Sequence, residues 1–286
     1  PMQTTSLDGN RYFISFIDDF TRFTILYFHK EKSRAFKAFI SYKAYVENHG
    51  QHKISTIRSD NGGEYFSKEW IKFCEDHEIK HKDTIHYNPQ ANGIDERKNK
   101  TLLDASRCIL QVAGLHNQFW QEVVATTCYL QNISPHNLLE LNTPHAILYG
   151  HKPHLGHLCV FVSIAYNHIP QEKRRKLDPH ARKCIFTGYG EASGIKSYKL
   201  FDLHTRKFLV NRYAIFDEAT LMTQLTNHEV HLNEKSNNEL TFPSDSHIVN
   251  YGGPITRDRS THSRRFESQR NGESPKINKL KWPQHS

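Results

Sequence analysis

Two β-rich runs stand close together near the start of the chain, RYFISFIDD (residues 11–19) and RFTILYFHK (22–30). Aromatic and β-branched residues crowd both, and only a few polar positions separate them. Such a pattern predicts neighbouring strands joined by a tight turn. Ser33 then offers a helix N-cap, Phe36, Phe39, Ile40, Ala44 and Val46 recur at helical spacing, and Gly50 closes the segment. KISTIRS reads as a strand ending at Asp60. Phe66, Trp70 and Phe73 mark an amphipathic helix, and EIKHK a short strand after it. DTIHYNPQANG reads as a loop, with Pro89 and Gly93 as breakers. A long helix is expected from about Ile94 to Ala113, with Leu102, Ala105, Ile109 and Val112 as its apolar stripe. Another follows from about Asn117, carrying Trp120, Val123, Thr127 and Leu130 on one face. The order β-β-α-β-α-β-α-α implies an α/β core built on a mixed sheet flanked by helices.

The texture changes after SPHNLLELNTPHAILYG (134–150). VFVSIAYNHI, KCIFTGY, SYKLFDL and KFLVNRYAIF are short β-type runs with turn residues between them. From about Ala219 periodicity fades into Asn, Ser, His and charged residues, a composition that does not support a packed core. The expected organisation is therefore an α/β core over residues 1–135, a small β-rich region over 136–219, and a disordered basic tail over 220–286. Residues 256–286 carry eight Lys and Arg against Asp258, Glu267 and Glu273. The 286-residue chain has a net charge of +8, which favours a polyanionic partner such as nucleic acid without specifying one. No apolar run approaches the roughly 18 residues that span a bilayer, so no membrane-crossing helix is expected. Five widely spaced cysteines without a CxxC pair favour reduced thiols and an intracellular protein.

Two acidic stretches stand out. IRSDNGGEY places Asp60 at the C-terminal end of a strand, where open α/β sheets tend to bind ligands. NPQANGIDERKNK places Glu96 in the first turn of a helix, with Asn99 and Lys100 on the same face. Thirty-five residues lie between Asp60 and Glu96. A strand-end carboxylate and a helix carboxylate can converge on a hard divalent cation, Mg²⁺ or Mn²⁺. Two such ions activate a nucleophile and stabilise the leaving oxygen of a phosphodiester. Each stretch also has a plain reading, SDNGG as a turn and DERKNK as a solvated helix face. Their order and placement together are more specific than either alone.

SDNGGEY, the 35-residue gap and YNPQANGIDERKNKTL resemble the second and third acidic motifs of an integrase catalytic core, and more narrowly that of a copia-type LTR retrotransposon Pol polyprotein. GNRYFISFIDDFTRFTILYF is similar to that family's opening strands. LNTPHAILYGHKPHLGHLCVF, RKLDPHARKCIFTGY and NRYAIFDE are similar to the segment after its core, so the resemblance covers about residues 1–219. It implies an RNase H-like fold and transesterification, in which the 3′-hydroxyl of a DNA end attacks a target phosphodiester. It implies that Asp60 and Glu96 are catalytic, metal-binding acids using Mg²⁺ or Mn²⁺. Asn61, Tyr87, Gln90, Asn92 and Lys100 would border the DNA, the retroelement ends and target. It further implies homo-oligomers when full length, and a nuclear protein with a cytoplasmic particle stage.

The chain departs from that pattern in places. VFVS (Val160–Ser163) stands where VFGC is usual, Gly156 where a small polar residue is common, and Asp95 adds a carboxylate beside Glu96. The family's first catalytic Asp precedes a stretch like PMQTTS, so its counterpart is expected before Pro1, along with most of the first strand. With one of three metal acids outside it, the chain by itself is expected to be inactive. The competing reading is a decayed or host-adopted copy that binds nucleic acid without catalysis.

Other features carry less. Asp18 and Asp19 in FIDDF read as a hairpin turn whose side chains bond nearby amides. His151, His154, His157 and Cys159 match no common zinc spacing, and His77, His81 and His86 straddle a short strand and the loop after it, so no metal role is expected of either group. No glycine-rich phosphate loop occurs, which disfavours a nucleotide-dependent enzyme.

Overall fold

The computed structural model describes residues 1–49, 53–59, 67–83, 89–192 and 195–221, all within the compact unit Pro1–Ile255. The expected α/β order is found. β1 (Tyr12–Ile17) pairs antiparallel with β2 (Thr24–His29), and α1 (Ala35–His49) follows. β3 (Thr56–Ser59) runs parallel to β4 (Lys80–Asp83), with α2 (Lys68–Asp76) as the crossover between them. Then come the long α3 (Pro89–Ala113), α4 (Trp120–Ile133) and the short α5 (Pro144–Tyr149).

The hairpin shows why the first two runs sit as they do. Alternation sends Ile14, Phe16, Ile25 and Tyr27 to one face, where they join Phe39 and Tyr42 of α1 and Trp70 of α2. Phe13, Leu26 and Phe28 go to the other face and meet Leu102 of α3 with Trp120 and Val124 of α4. Helices therefore cover both faces of the pair. Phe16 stacks on Tyr42 at 4.7 Å and Phe39 on Trp70 at 4.8 Å. Burial of each such side chain contributes roughly 1.5–3 kcal/mol.

The mixed sheet is present as two separate ladders. Among the described residues β1–β2 and β3–β4 are not hydrogen-bonded to each other. One cluster nevertheless spans them, since Ile57 of β3 and Ile79 before β4 pack with Phe16 and Phe39.

Two helix expectations need correction. The long helix begins at Pro89, not near Ile94, so Gly93 lies inside it rather than breaking it. Proline fits the first helical position because no amide is needed there. Glu96 accordingly sits in the second turn. The apolar stripe is also displaced: Val112 is 80% exposed, while Leu102, Ser106 and Ala113 are buried. Ser106 tolerates the core because its hydroxyl donates to the Leu102 carbonyl at 2.7 Å.

The β-rich region is a five-stranded sheet, β5 (Ser163–His168), β6 (Ala181–Ala192), β7 (Ile195–Asp202), β8 (Lys207–Asn211) and β9 (Ala214–Leu221), in the order β8-β7-β6-β5-β9. KFLVNRYAIF, one run in the sequence, supplies two strands. The Tyr213 amide donates to Asn211 Oδ1 at the bend. The Asn211 side-chain amide then reaches Asn167 on β5, drawing the sheet toward closure. Val162, Ile164, Ile185 and Phe201 pack on Phe119 and Val123 around the start of α4. Gly188 lies at a register shift in β6 with φ +144°, and an added Cβ there would stand 2.6 Å from Thr126 Oγ1. That close approach lets β6 lie against α4.

Candidate functional site

The strand β3 ends at Ser59, and its parallel partner β4 ends beside it at Asp83, in register. Ser59 Oγ and His81 Nε2 are 2.8 Å apart across this edge. Parallel pairing puts the C-terminal ends of β3 and β4 on the same side, the usual position of a ligand site in such a sheet. Asp60 follows Ser59 directly in the chain. Asp60 and Asn61, and Tyr87 in the stretch before α3, lie outside the described residues. The α2 crossover is fixed by Ser67, whose hydroxyl accepts from the Trp70 amide at 3.2 Å, and by the buried Trp70.

The second acidic residue is described. Glu96 is exposed on α3, and no ion pair among the described residues engages it. Its helix is docked one turn further on, where Ser15 Oγ of β1 donates to Asn99 Oδ1 at 3.0 Å. Asn99 lies three positions beyond Glu96, on the same helix face. The bond therefore fixes the face that carries Glu96 toward the β1 strand. Lys100 is exposed on the following position. Gln90 and Asn92 fall within the first turn of α3, not in a loop, and their side chains are outside the described residues.

Sequence reasoning missed a cationic group beside this face. Lys98 is partly buried, and burial lowers its pKa. His136, just beyond α4, is lowered by burial and then by the charges of Lys98 and Arg22. Arg22 itself sits in the β1–β2 turn in the left-handed region, φ +61°. The charges of Lys98 and Arg22 thus both act on His136, from two other segments of the chain. The charged run ERKNK hid this, because burial of one lysine within it depends on α4.

FIDDF is a turn, as its composition indicated. Asp18 Oδ2 accepts from the Thr21 amide at 2.8 Å and from the Thr21 hydroxyl at 2.6 Å. Asp19 pairs with Arg22 at 3.3 Å and with Arg58 of β3 at 3.7 Å. In the histidine-rich loop, His157 Nε2 meets the Tyr129 hydroxyl at 2.5 Å. Among the described residues no group of three or more His, Cys, Asp and Glu is disposed to hold a metal ion. No helix among them is long and apolar enough to cross a membrane.

A hairpin covered by helices on both faces and a parallel βαβ edge preceding the helix that carries Glu96 define a mixed α/β protein. Residues 2–89 match the integrase core domain and residues 163–230 the retroviral polymerase SH3-like domain. Over 246 residues the chain is 38% identical to the retrovirus-related Pol polyprotein from transposon TNT 1-94 of Nicotiana tabacum, covering 86% of this chain and 18% of that one. Over 213 residues it is 35% identical to the corresponding polyprotein of transposon RE1 of Arabidopsis thaliana, covering 74% and 14%. The chain belongs to the integrase region of the copia-type retrotransposon Pol polyproteins, and spans less than a fifth of those relatives' length. Among solved structures it is similar to a chain of the simian T-cell lymphotropic virus intasome in complex with PP2A regulatory subunit B56 gamma. The identity there is 19% and the TM-score 0.41, over 73% of this chain and 72% of that one. It is also similar to the HTLV-2 integrase catalytic core domain in complex with magnesium, at 19% identity and TM-score 0.39, over 50% and 88%.

Proposed function

We propose that the chain is the acidic-motif portion of a DNA strand-transfer enzyme, with Asp60 and Glu96 as two of its three metal-binding carboxylates. The observation that carries this is the placement of Glu96. It is an exposed carboxylate, with no ion pair among the described residues, on a helix whose same face is pinned to the sheet by Asn99 and Ser15. An exposed carboxylate held by a rigid element is the donor type that hard divalent cations take. Bound Mg²⁺ or Mn²⁺ would supply the charge that stabilises the attacking and leaving oxygens of the phosphodiester.

The chain's own residues supply the rest. Asn61, Tyr87, Gln90 and Asn92 border the site and orient the DNA end. Lys100, one turn beyond Glu96, takes a phosphate near the acids. The 3′-hydroxyl of one DNA end loses its proton and attacks a target phosphorus, and the P–O bond to the target strand's own 3′-oxygen breaks, that oxygen leaving as a 3′-hydroxyl, with no covalent enzyme intermediate.

The third carboxylate belongs to a strand preceding Pro1. Support comes from the sheet: β1 pairs only with β2 and β3 only with β4 among the described residues, while side chains of both ladders share one core. A strand between β1 and β3 would join them. The working division is a core over 1–135, a β-rich region over 136–219 and a basic tail over 220–286. The enzyme acts as a homo-oligomer in the nucleus.

The test is a joining assay on protein extended upstream through that strand, with a labelled duplex end, plasmid target and Mg²⁺ or Mn²⁺. Joining is expected, with losses of at least 100-fold in Glu96→Gln and in Asp60→Asn. Residues 1–286 alone should join no ends. Joining that survives Glu96→Gln would refute the assignment. DNA binding without joining, indifferent to both substitutions, would instead favour a non-enzymatic nucleic-acid-binding protein.

A further inference from the structure

Resting on the strand-transfer reading above, we propose that Asp8 and Lys199 are positioning residues for that reaction. They clamp the turn over residues 6–10 and so set the register of the strand before it, the one assigned the third carboxylate. The β-rich region thereby takes part in placing an acid of the core.

The turn closes on itself first. The Gly9 amide donates to the Ser6 carbonyl and the Ser6 amide to the Asn10 carbonyl, both at 2.9 Å. Gly9 sits at φ +81°, the left-handed region that this reversal needs. Just outside the turn the Met2 amide donates to the Arg11 carbonyl at 2.7 Å, so the chain before the turn runs back along the start of β1.

Two other regions then grip it. Gln121 of α4 accepts from the Ser6 hydroxyl at 2.9 Å and from the Asn10 side-chain amide at 2.8 Å. Its own amide donates to Asp8 Oδ2 at 2.8 Å. Lys199 of β7 reaches the same Asp8 oxygen at 3.2 Å and Glu122 of α4 at 2.9 Å. The Lys199 ammonium also stands 4.2 Å from the centre of the Phe208 ring on β8. Leu7, inside the turn, packs with Val162, Ile164, Ile185 and Phe201, and its amide donates to the Gln118 carbonyl at 3.2 Å.

The division of charge separates a clamp from a plain buried pair. Glu122 is wholly buried and by itself supplies the counter-charge that a buried lysine requires. Asp8 is 37% exposed and is not needed for that purpose. What its contact adds is a fixed position for the turn. Turn geometry sets the register of the strands that it joins. A carboxylate that shares metal ions must be placed closely, and an error of about 1 Å costs up to about 100-fold in rate.

The experiment uses the upstream-extended protein of the joining assay, with Asp8→Asn and the double variant Glu122→Leu with Lys199→Met. The double variant removes both buried charges, so its melting temperature should stay near the parent's while the hold on Asp8 is gone. Asp178→Asn, the same charge change in the exposed connection between β5 and β6, is the control. In both clamp variants kcat should fall by about tenfold or more, with KM for DNA within about twofold of the parent. The Mg²⁺ concentration for half-maximal joining should rise, a shift that lost stability alone would not produce. Hydrogen exchange should quicken over residues 2–11 and not in α1. Parental kcat in the double variant, an equal loss in the control, or unchanged exchange over residues 2–11 would each overturn the proposal. A parent that joins no ends sinks the strand-transfer reading instead, and exchange over residues 2–11 still decides whether the clamp exists.

Discussion

Lys199 on β7 donates to Glu122 Oε1 on α4 at 2.9 Å, and both side chains are almost wholly withdrawn from solvent. Lys199 also reaches Asp8 in the N-terminal segment at 3.2 Å, and Gln121 donates to the same Asp8 carboxylate at 2.8 Å. One buried cation thus ties together three stretches far apart in sequence. Burial raises the Glu122 carboxyl, Lys199 draws it back down and Asp8 pushes it up. Glu122 Oε2 has no hydrogen-bond partner among the described residues, so the pair is incompletely satisfied.

Removing the cation alone should therefore be costly. Lys199→Met leaves a carboxylate buried without its partner, and stability should fall by about 3–5 kcal/mol. The double variant Glu122→Leu with Lys199→Met should recover most of that loss. Urea denaturation of the three proteins checks it, and a single variant within about 1 kcal/mol of the parent would show that the pair holds nothing together.

The docking of α3 depends on a smaller contact. Ser15→Ala leaves Asn99 without its donor and should cost about 1 kcal/mol. The effect should be local, with faster hydrogen exchange in the second and third turns of α3 and none in α4. In upstream-extended protein, joining should drop more than stability does, because Glu96 shares the loosened face. Unchanged exchange in α3 would exclude the positioning role given to Asn99.

Asp202 should make stability depend on acid pH. Burial alone would raise its carboxyl, but bonds from Thr205 and from the His204 and Thr205 amides, together with Arg182, hold it below the usual aspartate value. A folded value below the unfolded one means its stabilisation is full above about pH 4 and is lost as pH falls through the folded value. Asp202→Asn should lower the melting temperature at pH 7, and the gap from the parent should narrow on acidification. A gap that stays constant from pH 7 down to about pH 2 would contradict the linkage.

The cysteines should separate by reactivity. Cys108 is exposed, whereas Cys74, Cys128 and Cys184 are buried. Burial pushes the Cys128 thiol to about 12 and the Cys184 thiol to about 11, so neither offers thiolate near neutrality. Iodoacetamide at pH 8 should label Cys108 first, and the buried three only in denaturant. Mass spectrometry of the labelled peptides decides it, and prompt labelling of Cys128 in native protein would mean that α4 opens readily.

Local pattern made much of this chain legible. Alternation in RYFISFIDD and RFTILYFHK determined a hairpin with two apolar faces, because a period of two sends successive side chains to opposite sides. The strand before Asp60, the crossover helix carrying Trp70 and the helix carrying Glu96 follow from periodicity and capping in the same way. FIDDF was readable as a turn because Asp18 bonds to its close neighbours in sequence, Thr21, Arg22 and Phe23. What depends on distant partners was not readable. Val112 fits the helical stripe by spacing yet faces solvent, since the position of α4 selects which face of α3 is covered. Pro89 looks like a breaker but starts the helix, because only the surroundings decide whether a proline ends one segment or opens the next. The Ser15–Asn99 bond and the Lys199–Glu122 pair join residues dozens of positions apart. Residue order alone determined the elements and the acids they carry. Tertiary packing decided which side chains meet, because burial and pairing energies exist only once separate segments exclude water together.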